Sequence, residues 1–152
     1  MKNIIPFSGH LAQHFRDLNI EWLETYFYVE PHDEDLLNNC KEVIIDKGGF
    51  IFFYKENKEI LGTFALLKVS DDIFELGKMA VTPKARGKGI GQQLMQFCME
   101  FAKVKKWKKL ILYSNTKLEN SIYIYRKYGF IEIPIEINNP YDRGNIKMEL
   151  IL

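Results

Sequence analysis

The sequence predicts an α/β (α+β) fold with a mixed sheet of about six or seven strands and about four flanking helices. Three strand-like segments, at 50–54, 60–69 and 73–81, follow one another with short polar turns between them. This pattern is typical of an antiparallel meander. A glycine-rich loop, an amphipathic helix and the apolar strand 108–114 come next. A right-handed crossover should make that strand a parallel neighbour, so both pairing types are expected in one sheet.

Before the meander, the sequence predicts one short strand at residues 3–7 and two helices. Apolar residues recur every three or four positions over 11–29, which indicates one helical stripe. Asn19 could cap a second segment within that stripe, so we expect a break near it. Asp33 is the expected N-cap of the next helix, which ends at the Gly48-Gly49 pair.

After strand 108–114, the sequence predicts a helix over 119–128 that is stopped by Gly129. Two final strands, 130–137 and 145–152, are joined by a long turn. The complete order is β-α-α-β-β-β-α-β-α-β-β. A chain of 152 residues fits one domain, so we expect residues 1–152 to form a single domain.

Composition excludes several classes of function. The net charge of +1 gives no support for a nucleic-acid partner. The apolar runs are only a few residues long, and the N-terminal segment does not resemble a signal peptide, so no membrane association is expected. Cys40 and Cys98 lie within apolar patterns and are expected to be buried free thiols. Such thiols suit a reducing compartment, which predicts a cytoplasmic protein.

The loop RGKGIG at 86–91 lies between a predicted strand and a predicted helix, where glycines often let the backbone approach a phosphate. It lacks the Lys-Ser/Thr pair of a Walker loop. It also has its third glycine one residue too early, and no acid about 20 residues later, for a dinucleotide fingerprint. Two interpretations of the loop remain: a turn without a ligand, or a cradle for a pyrophosphate at the helix N-terminus. In the second case, successive amides, the helix dipole and the charges of Arg86 and Lys88 would hold the anion.

Two motifs resemble the GNAT N-acetyltransferase family. The segment VTPKARGKGIG at 81–91 resembles its acetyl-CoA loop, written Q/R-x-x-G-x-G/A. The segment NSIYIYRKYGF at 120–130 resembles its A-I-x-L-Y-x-K-x-G-F helix, with Ser121 in place of alanine. Their order and spacing match, and the resemblance covers essentially the whole chain. It implies a GNAT-like fold, splayed between the fourth and fifth strands, that moves an acetyl group from acetyl-CoA to a primary amine in a ternary complex.

The resemblance also suggests two catalytic residues. Tyr125 stands where the family has a tyrosine that can protonate the CoA sulfur, although its helical spacing also suits a core aromatic. Glu75 is a carboxylate in an otherwise apolar strand, and burying a carboxylate is costly. It matches a position where many family members have a glutamate that acts as a base through water. The alternative for Glu75 is a strand residue that faces solvent.

The same resemblance supplies a set of cofactor-binding residues. Met79-Ala80-Val81 would pair with the pantetheine arm, and an amide near Met79 could serve the oxyanion. Asn115 matches a position that often faces the cofactor, although a simple loop cap is the alternative. The complete expected set is Met79, Ala80, Val81, Arg86, Gly87, Lys88, Gly89, Ile90, Gly91, Gln92, Asn115 and Tyr125.

Other features are weaker. His10 and His14 are four residues apart, but they lack a third ligand and an HExxH glutamate, so no metal is expected. Asp142 and Arg143 lie in the long turn, where they could read a substrate amine or carboxylate or simply form the turn.

The acceptor, a small-molecule or peptide amine, stays open, and the resemblance also allows a homodimer. A CoA-binding sensor without turnover, or transfer of a larger acyl group, are the alternatives to acetyl transfer.

Overall fold

The computed structural model describes residues 3–152, which contain a seven-stranded sheet in the order β1-β2-β3-β4-β5-β7-β6. The strands are β1 Ile4–Pro6, β2 Phe50–Glu56, β3 Glu59–Ser70, β4 Ile73–Val81, β5 Lys109–Ser114, β6 Ile131–Ile133 and β7 Ile146–Ile151. The helices are α1 Ala12–Tyr26, α2 Pro31–Asn38, α3 Ile90–Val104 and α4 Glu119–Lys127. The mixed sheet, its meander and the flanking helices confirm the predicted fold class.

The pairing of β4 with β5 determines the shape of the sheet. All other strand pairs are antiparallel, whereas β4 and β5 run parallel. Their register covers only Ile73–Glu75 on β4 and Lys109–Ile111 on β5. Beyond this point the two strands no longer pair with each other. β4 continues beside β3, and β5 continues beside β7. The splay between the fourth and fifth strands is therefore present, and it opens a gap in the middle of the sheet.

Successive side chains along each strand point to opposite faces of the sheet, so a hydrophobic core forms on each face. On β2, Phe52 and Tyr54 join the core formed with α3, while Ile51 and Phe53 join the core formed with α1 and α2. Phe53 and Phe64 are fully buried. Burying a side chain of this size contributes about 1.5–3 kcal/mol relative to leaving it exposed. The two cores therefore place helices on both faces of the sheet.

Two expectations about the N-terminal helices were wrong. α1 runs without a break, because the amide of Asn19 donates to the Phe15 carbonyl oxygen at 3.0 Å and is satisfied within the helix. The N-cap of α2 is Glu30, with Pro31 at the first helical position, where proline's fixed φ is favourable. Asp33 lies three residues after the cap and accepts a hydrogen bond from the Glu30 amide at 2.9 Å.

Two further element boundaries differ from those expected. The helix predicted up to the glycine pair ends at Asn38, and Lys41–Ile45 forms a separate wide helical turn. The strand predicted over 130–137 is only Ile131–Ile133. Pro134 follows it, and proline cannot donate to a strand ladder. The remaining residues extend the connection between β6 and β7, here called the 134–145 loop.

Candidate active site

A cleft of about 480 Å³ opens where β4 and β5 separate. Its walls come from β4, the glycine loop, the end of β5, α4, α1 and the 134–145 loop. The predicted site residues on its walls are Glu75, Met79, Val81, Arg86, Gly87, Gly89, Ile90, Gly91, Gln92, Asn115 and Tyr125. Two others do not line it: Ala80 is 2% exposed and packs in the core, and Lys88 is an exposed loop residue.

The glycine loop has the geometry of an open helix N-terminus. Gly87 and Gly89 have φ values of 82° and 77°, a region that residues with a side chain rarely adopt. Gly89 is the N-cap of α3. A Cβ built on Gly87, Gly89 or Gly91 would meet nothing within 4 Å, so the space beside the loop is free. The first N–H groups of a helix have no partner within it, and here they border the cleft.

Arg86 is tied to α1. Its guanidinium donates to Glu21 Oε1 at 3.0 Å and to the Val81 carbonyl oxygen at 3.2 Å. It also lies over the ring of Tyr26, with 5.7 Å between the guanidinium carbon and the ring centroid. These contacts fix the start of the glycine loop against α1.

β4 carries a bulge beside the cleft. Thr63 pairs with Ala80 and Ala65 pairs with Gly77, so β4 has one more residue than β3 over this stretch. Lys78 adopts a φ of 54°, which is uncommon for a residue other than glycine. A bulge changes the direction in which the neighbouring side chains point. The sequence analysis missed it, although a glycine followed by a lysine in an apolar strand was a weak signal.

The Lys78 side chain enters a buried ionic cluster that also contains Asp33, Arg143 and Glu30. Lys78 Nζ donates to Asp33 Oδ1 at 2.5 Å. Arg143 holds Asp33 with both terminal nitrogens, at 2.6 and 2.9 Å, and reaches Glu30 Oε2 at 2.8 Å. Two carboxylates therefore face two cations. Removing one partner from such a buried arrangement typically costs about 3–5 kcal/mol.

The ionisation of Asp33 follows from this cluster. Burial alone would raise its pKa, but the hydrogen bonds from Arg143 and the charge and hydrogen bond of Lys78 outweigh burial. The pKa of Asp33 is lowered to about 2. The carboxylate is therefore charged at neutral pH. Its stabilising effect is complete above its ordinary pKa and is lost only as the pH falls towards 2.

The ionic cluster also fastens the 134–145 loop to the start of α2. The backbone amides of Asp142 and Arg143 donate to the Glu30 carboxylate at 2.8 and 3.3 Å. Asn115 secures the other side of the loop, because its amide donates to the Arg143 carbonyl oxygen at 2.7 Å. Asn115 Oδ1 also accepts from the Lys117 amide at 2.9 Å, so Asn115 caps a loop as well as bordering the cleft.

Glu75 lies at the end of the β4–β5 register and is 9% exposed, so it does not face open solvent. Its Oε2 accepts a hydrogen bond from the Tyr141 hydroxyl at 3.0 Å. Burial raises the pKa of Glu75, while the Tyr141 hydrogen bond and the charges of Lys78 and Lys147 act in the opposite direction. The partner Tyr141 is 66 positions away in the sequence, so no local pattern could reveal it.

Tyr125 lies on α4, with its ring packed against the core and its side chain on the cleft wall. The centroid of its ring is 5.9 Å from that of Phe130. Burial raises the pKa of Tyr125 to about 12. The hydroxyl therefore keeps its proton at neutral pH. The two readings of this residue, core aromatic and cleft residue, are compatible.

The described part of the chain has neither a metal-binding cluster nor a membrane-spanning helix. Among residues 3–152, no three or more His, Cys, Asp or Glu side chains are grouped so that they could hold a metal ion. His10 Nδ1 instead shares a hydrogen bond with Ser8 Oγ at 2.7 Å. No helix within the same residues has both the length and the apolar character needed to cross a bilayer.

A sheet that opens between two parallel strands, with a glycine-rich helix N-terminus at the opening, indicates the acyltransferase class. Comparison with known families supports this. Residues 47–132, more than half of the chain, match the family model described as acetyltransferase (GNAT) domain. The chain therefore belongs to the GNAT acetyltransferase family.

Individual relatives are distant. N-acetyltransferase 8 of Rattus norvegicus is 23% identical over 101 residues, which cover 63% of this chain and 46% of the relative. The chain thus spans under half of that protein. A GNAT acetyltransferase from Staphylococcus aureus Mu50 has a TM-score of 0.84 at 21% identity, covering 97% of this chain and 96% of the other. One from Elizabethkingia anophelis with acetyl-CoA bound has a TM-score of 0.75 at 24% identity, with both chains fully covered. At these identities the likeness concerns the fold.

The Tyr141–Glu75 hydrogen bond generates a prediction about pH dependence. The Tyr141 hydroxyl favours the charged carboxylate, so Tyr141→Phe should raise the pKa of Glu75. If Glu75 acts as the base, the acid limb of the kcat/KM profile should move to higher pH, because kcat/KM reports the free enzyme. The measurement is acetyl-transfer rate against pH for both proteins. Tyr123→Phe, on an exposed tyrosine of α4, is the matched control. An acid limb that stays in place in Tyr141→Phe would contradict a base role for Glu75.

Proposed function

We propose that this protein moves an acetyl group from acetyl-CoA to a primary amine by direct attack within a ternary complex. One observation carries the proposal. β4 and β5 separate after three paired residues, and the cleft between them has the start of α3 at one rim and Glu75 and Tyr125 on its walls. This arrangement offers an anion-binding end, an open strand edge and two groups able to handle protons.

The donor would lie along the gap. Its pyrophosphate would bind the amides of residues 86–91, where the glycines leave free space and the helix dipole favours negative charge. Its pantetheine amides would pair with the β4 edge at Met79–Val81, much as an added strand would. Two structures of similar fold support such an assignment. One, from Elizabethkingia anophelis, has acetyl-CoA bound, and one from Bacillus subtilis is in complex with CoA, with a TM-score of 0.75 at 19% identity.

The reaction requires a neutral amine, although a lysine-like amine has a pKa of about 10.4. Glu75 would take the amine proton, directly or through water, and burial makes this carboxylate a stronger base than an exposed one. As the carbon–nitrogen bond forms, a backbone amide near Met79 would stabilise the oxyanion. As the carbon–sulfur bond breaks, the electron pair stays on sulfur, and Tyr125 would donate its proton there.

We further propose that residues 1–152 form one N-acetyltransferase domain that works in the cytoplasm. The two cysteines, Cys40 and Cys98, are buried free thiols, which suits a reducing compartment.

The direct test is acetyl-CoA-dependent thiol release with a panel of primary amines. Thiol release that depends on the amine is expected. Tyr125→Phe should lower kcat about 100-fold, within the usual range for a lost general acid, with little change in the affinity for CoA. Tyr123→Phe on the same helix is the control. Unchanged turnover in Tyr125→Phe would exclude the acid role. Tight CoA binding without thiol release on any amine would favour a CoA sensor instead.

The anion site can be tested with two substitutions of equal shape. Asp and Asn both tolerate the left-handed backbone of Gly89, and both fit the free space beside it. Only Gly89→Asp adds a negative charge at the start of α3. It should weaken CoA binding about 10-fold more than Gly89→Asn, as two charges separated by a few ångströms in a partly hydrated site repel each other by more than 1 kcal/mol. Calorimetry of CoA binding would measure the difference. Equal affinities for the two variants would show that the pyrophosphate lies elsewhere.

A further inference from the structure

We infer that the acceptor is a small primary amine on an aromatic or apolar body, with no carboxylate beside the amine. This inference rests on the proposed function and names the substrate class for the same site. Three features of the acceptor end of the cleft support it. Its cations, Lys78 and Arg143, are paired with protein carboxylates. The Glu75 carboxylate has no cation of its own, and the end of α1 presents aromatic side chains.

The cations on the cleft wall are all paired with carboxylates of the protein. Among the described residues that line the cleft, the positively charged ones are Lys78, Arg86 and Arg143. Each is already bound to a carboxylate of the protein. Lys78 is 4% exposed and held by Asp33, Arg143 is held by Asp33 and Glu30, and Arg86 is held by Glu21. At Lys78 and Arg143, a substrate carboxylate could bind only by displacing Asp33 or Glu30 into a buried and unpaired state, which is costly. The Arg86–Glu21 pair is partly exposed, with side chains 31% and 39% exposed, and it lies at the glycine loop, on the donor side of the cleft.

This pairing decides between the two roles that the sequence allowed for Arg143. The residue could read a substrate carboxylate with its forked side chain, or simply form the turn. The fork is instead occupied by Asp33, with Glu30 on the same Nη1 atom. The Arg143 side chain is 14% exposed. The role of Arg143 is thus to hold the 134–145 loop against α2.

The remaining charge on the walls is Glu75. Its hydrogen-bond partner is the neutral hydroxyl of Tyr141. The charged groups around it are Lys78, bound to Asp33, and the Lys147–Glu136 pair, whose Nζ–Oε1 distance is 2.8 Å. Because these cations are paired with other carboxylates, the Glu75 carboxylate attracts an ammonium group and repels a second carboxylate. An amine with a carboxylate on the adjacent carbon would bring both charges to the same place.

The body of the acceptor would meet an aromatic wall. Trp22, Tyr26 and Phe27, at the end of α1, line the cleft. The Trp22 centroid lies 5.2 Å from that of Tyr26 and 5.8 Å from that of Phe27. Arg86 lies over Tyr26, and Lys117 lies 4.1 Å from the Phe27 centroid, so these two rings already have cation partners. Trp22 is half-buried and offers apolar surface to an aromatic or aliphatic group.

The expected size of the acceptor follows from the loop that borders this end of the cleft and from the cleft volume. Glu30 binds two backbone amides and the guanidinium of the 134–145 loop, which joins the α1–α2 side of the cleft to the opposite side. The whole cleft measures about 480 Å³ and must also receive the acyl end of the donor. Small-molecule sites commonly measure about 300–1,000 Å³, so a small acceptor fits this space.

The test uses three amines that share a phenyl ring: phenethylamine, phenylalaninol and phenylalanine. Phenylalaninol has the same branching as phenylalanine, so the comparison isolates the carboxylate. We expect phenethylamine and phenylalaninol to be acetylated, and phenylalanine to have a kcat/KM at least about 50-fold lower, through like-charge repulsion at a buried site. Similar kcat/KM values for phenylalanine and phenylalaninol would overturn the inference while leaving acetyl transfer intact.

Two further experiments test the contact of the acceptor with Trp22 and distinguish a small amine from a peptide. Trp22→Ala should raise the KM for phenethylamine about 10-fold more than the KM for propylamine, which has no ring. Tyr28→Ala, on an exposed tyrosine outside the cleft lining, should change neither. A peptide with a free N-terminus completes the panel. Acetylation of the peptide but of none of the small amines would overturn the inference alone. No acetylation of any amine by the folded protein would overturn the proposed function, and the inference with it.

Discussion

The site depends on one constraint: the backbone of β4 loses its partner strand after Glu75. Backbone N–H and C=O groups need hydrogen-bond partners, and a strand edge in the middle of a sheet is normally filled by the next strand. Here β4 continues along β3 and β5 continues along β7, so beyond Glu75 this edge of β4 has no strand beside it. The gap supplies an unpaired edge of constant geometry. In the proposed mechanism, the amides of the donor occupy this edge and bring the thioester to Glu75 and Tyr125.

The buried ionic cluster sets the other half of the site. Asp33 receives Lys78 from the β4 bulge and Arg143 from the 134–145 loop, which joins three distant parts of the chain. Its lowered pKa keeps the Asp33 carboxylate charged across the physiological range. The cluster also uses the cations that a substrate carboxylate would need. The interaction that stabilises the acceptor end therefore also restricts what that end can bind.

The element order, the mixed sheet and the glycine loop could be predicted from sequence, because each depends on local periodicity or on residues a few positions apart. The gap between β4 and β5 was predicted only from the family resemblance, because no local sequence pattern indicates where two parallel strands separate. The ionic cluster could not be predicted. Arg143 meets Asp33 across 110 positions and Tyr141 meets Glu75 across 66, so their partners are set by topology. The break expected near Asn19 was wrong for a local reason, because this buried asparagine bonds the Phe15 carbonyl oxygen within its own helix instead of capping a new segment.

The most direct measurement for the central claim is amide hydrogen exchange of β4 with and without CoA. The segment 77–81 should exchange rapidly in the free protein on its open edge and should become protected when CoA binds, because the pantetheine amides pair with it. The β2–β3 hairpin, in which each strand has a neighbour on both sides, is the internal control and should not change. Protection of the glycine loop alone, with no change in 77–81 at saturating CoA, would contradict the claim that the gap between β4 and β5 receives the donor.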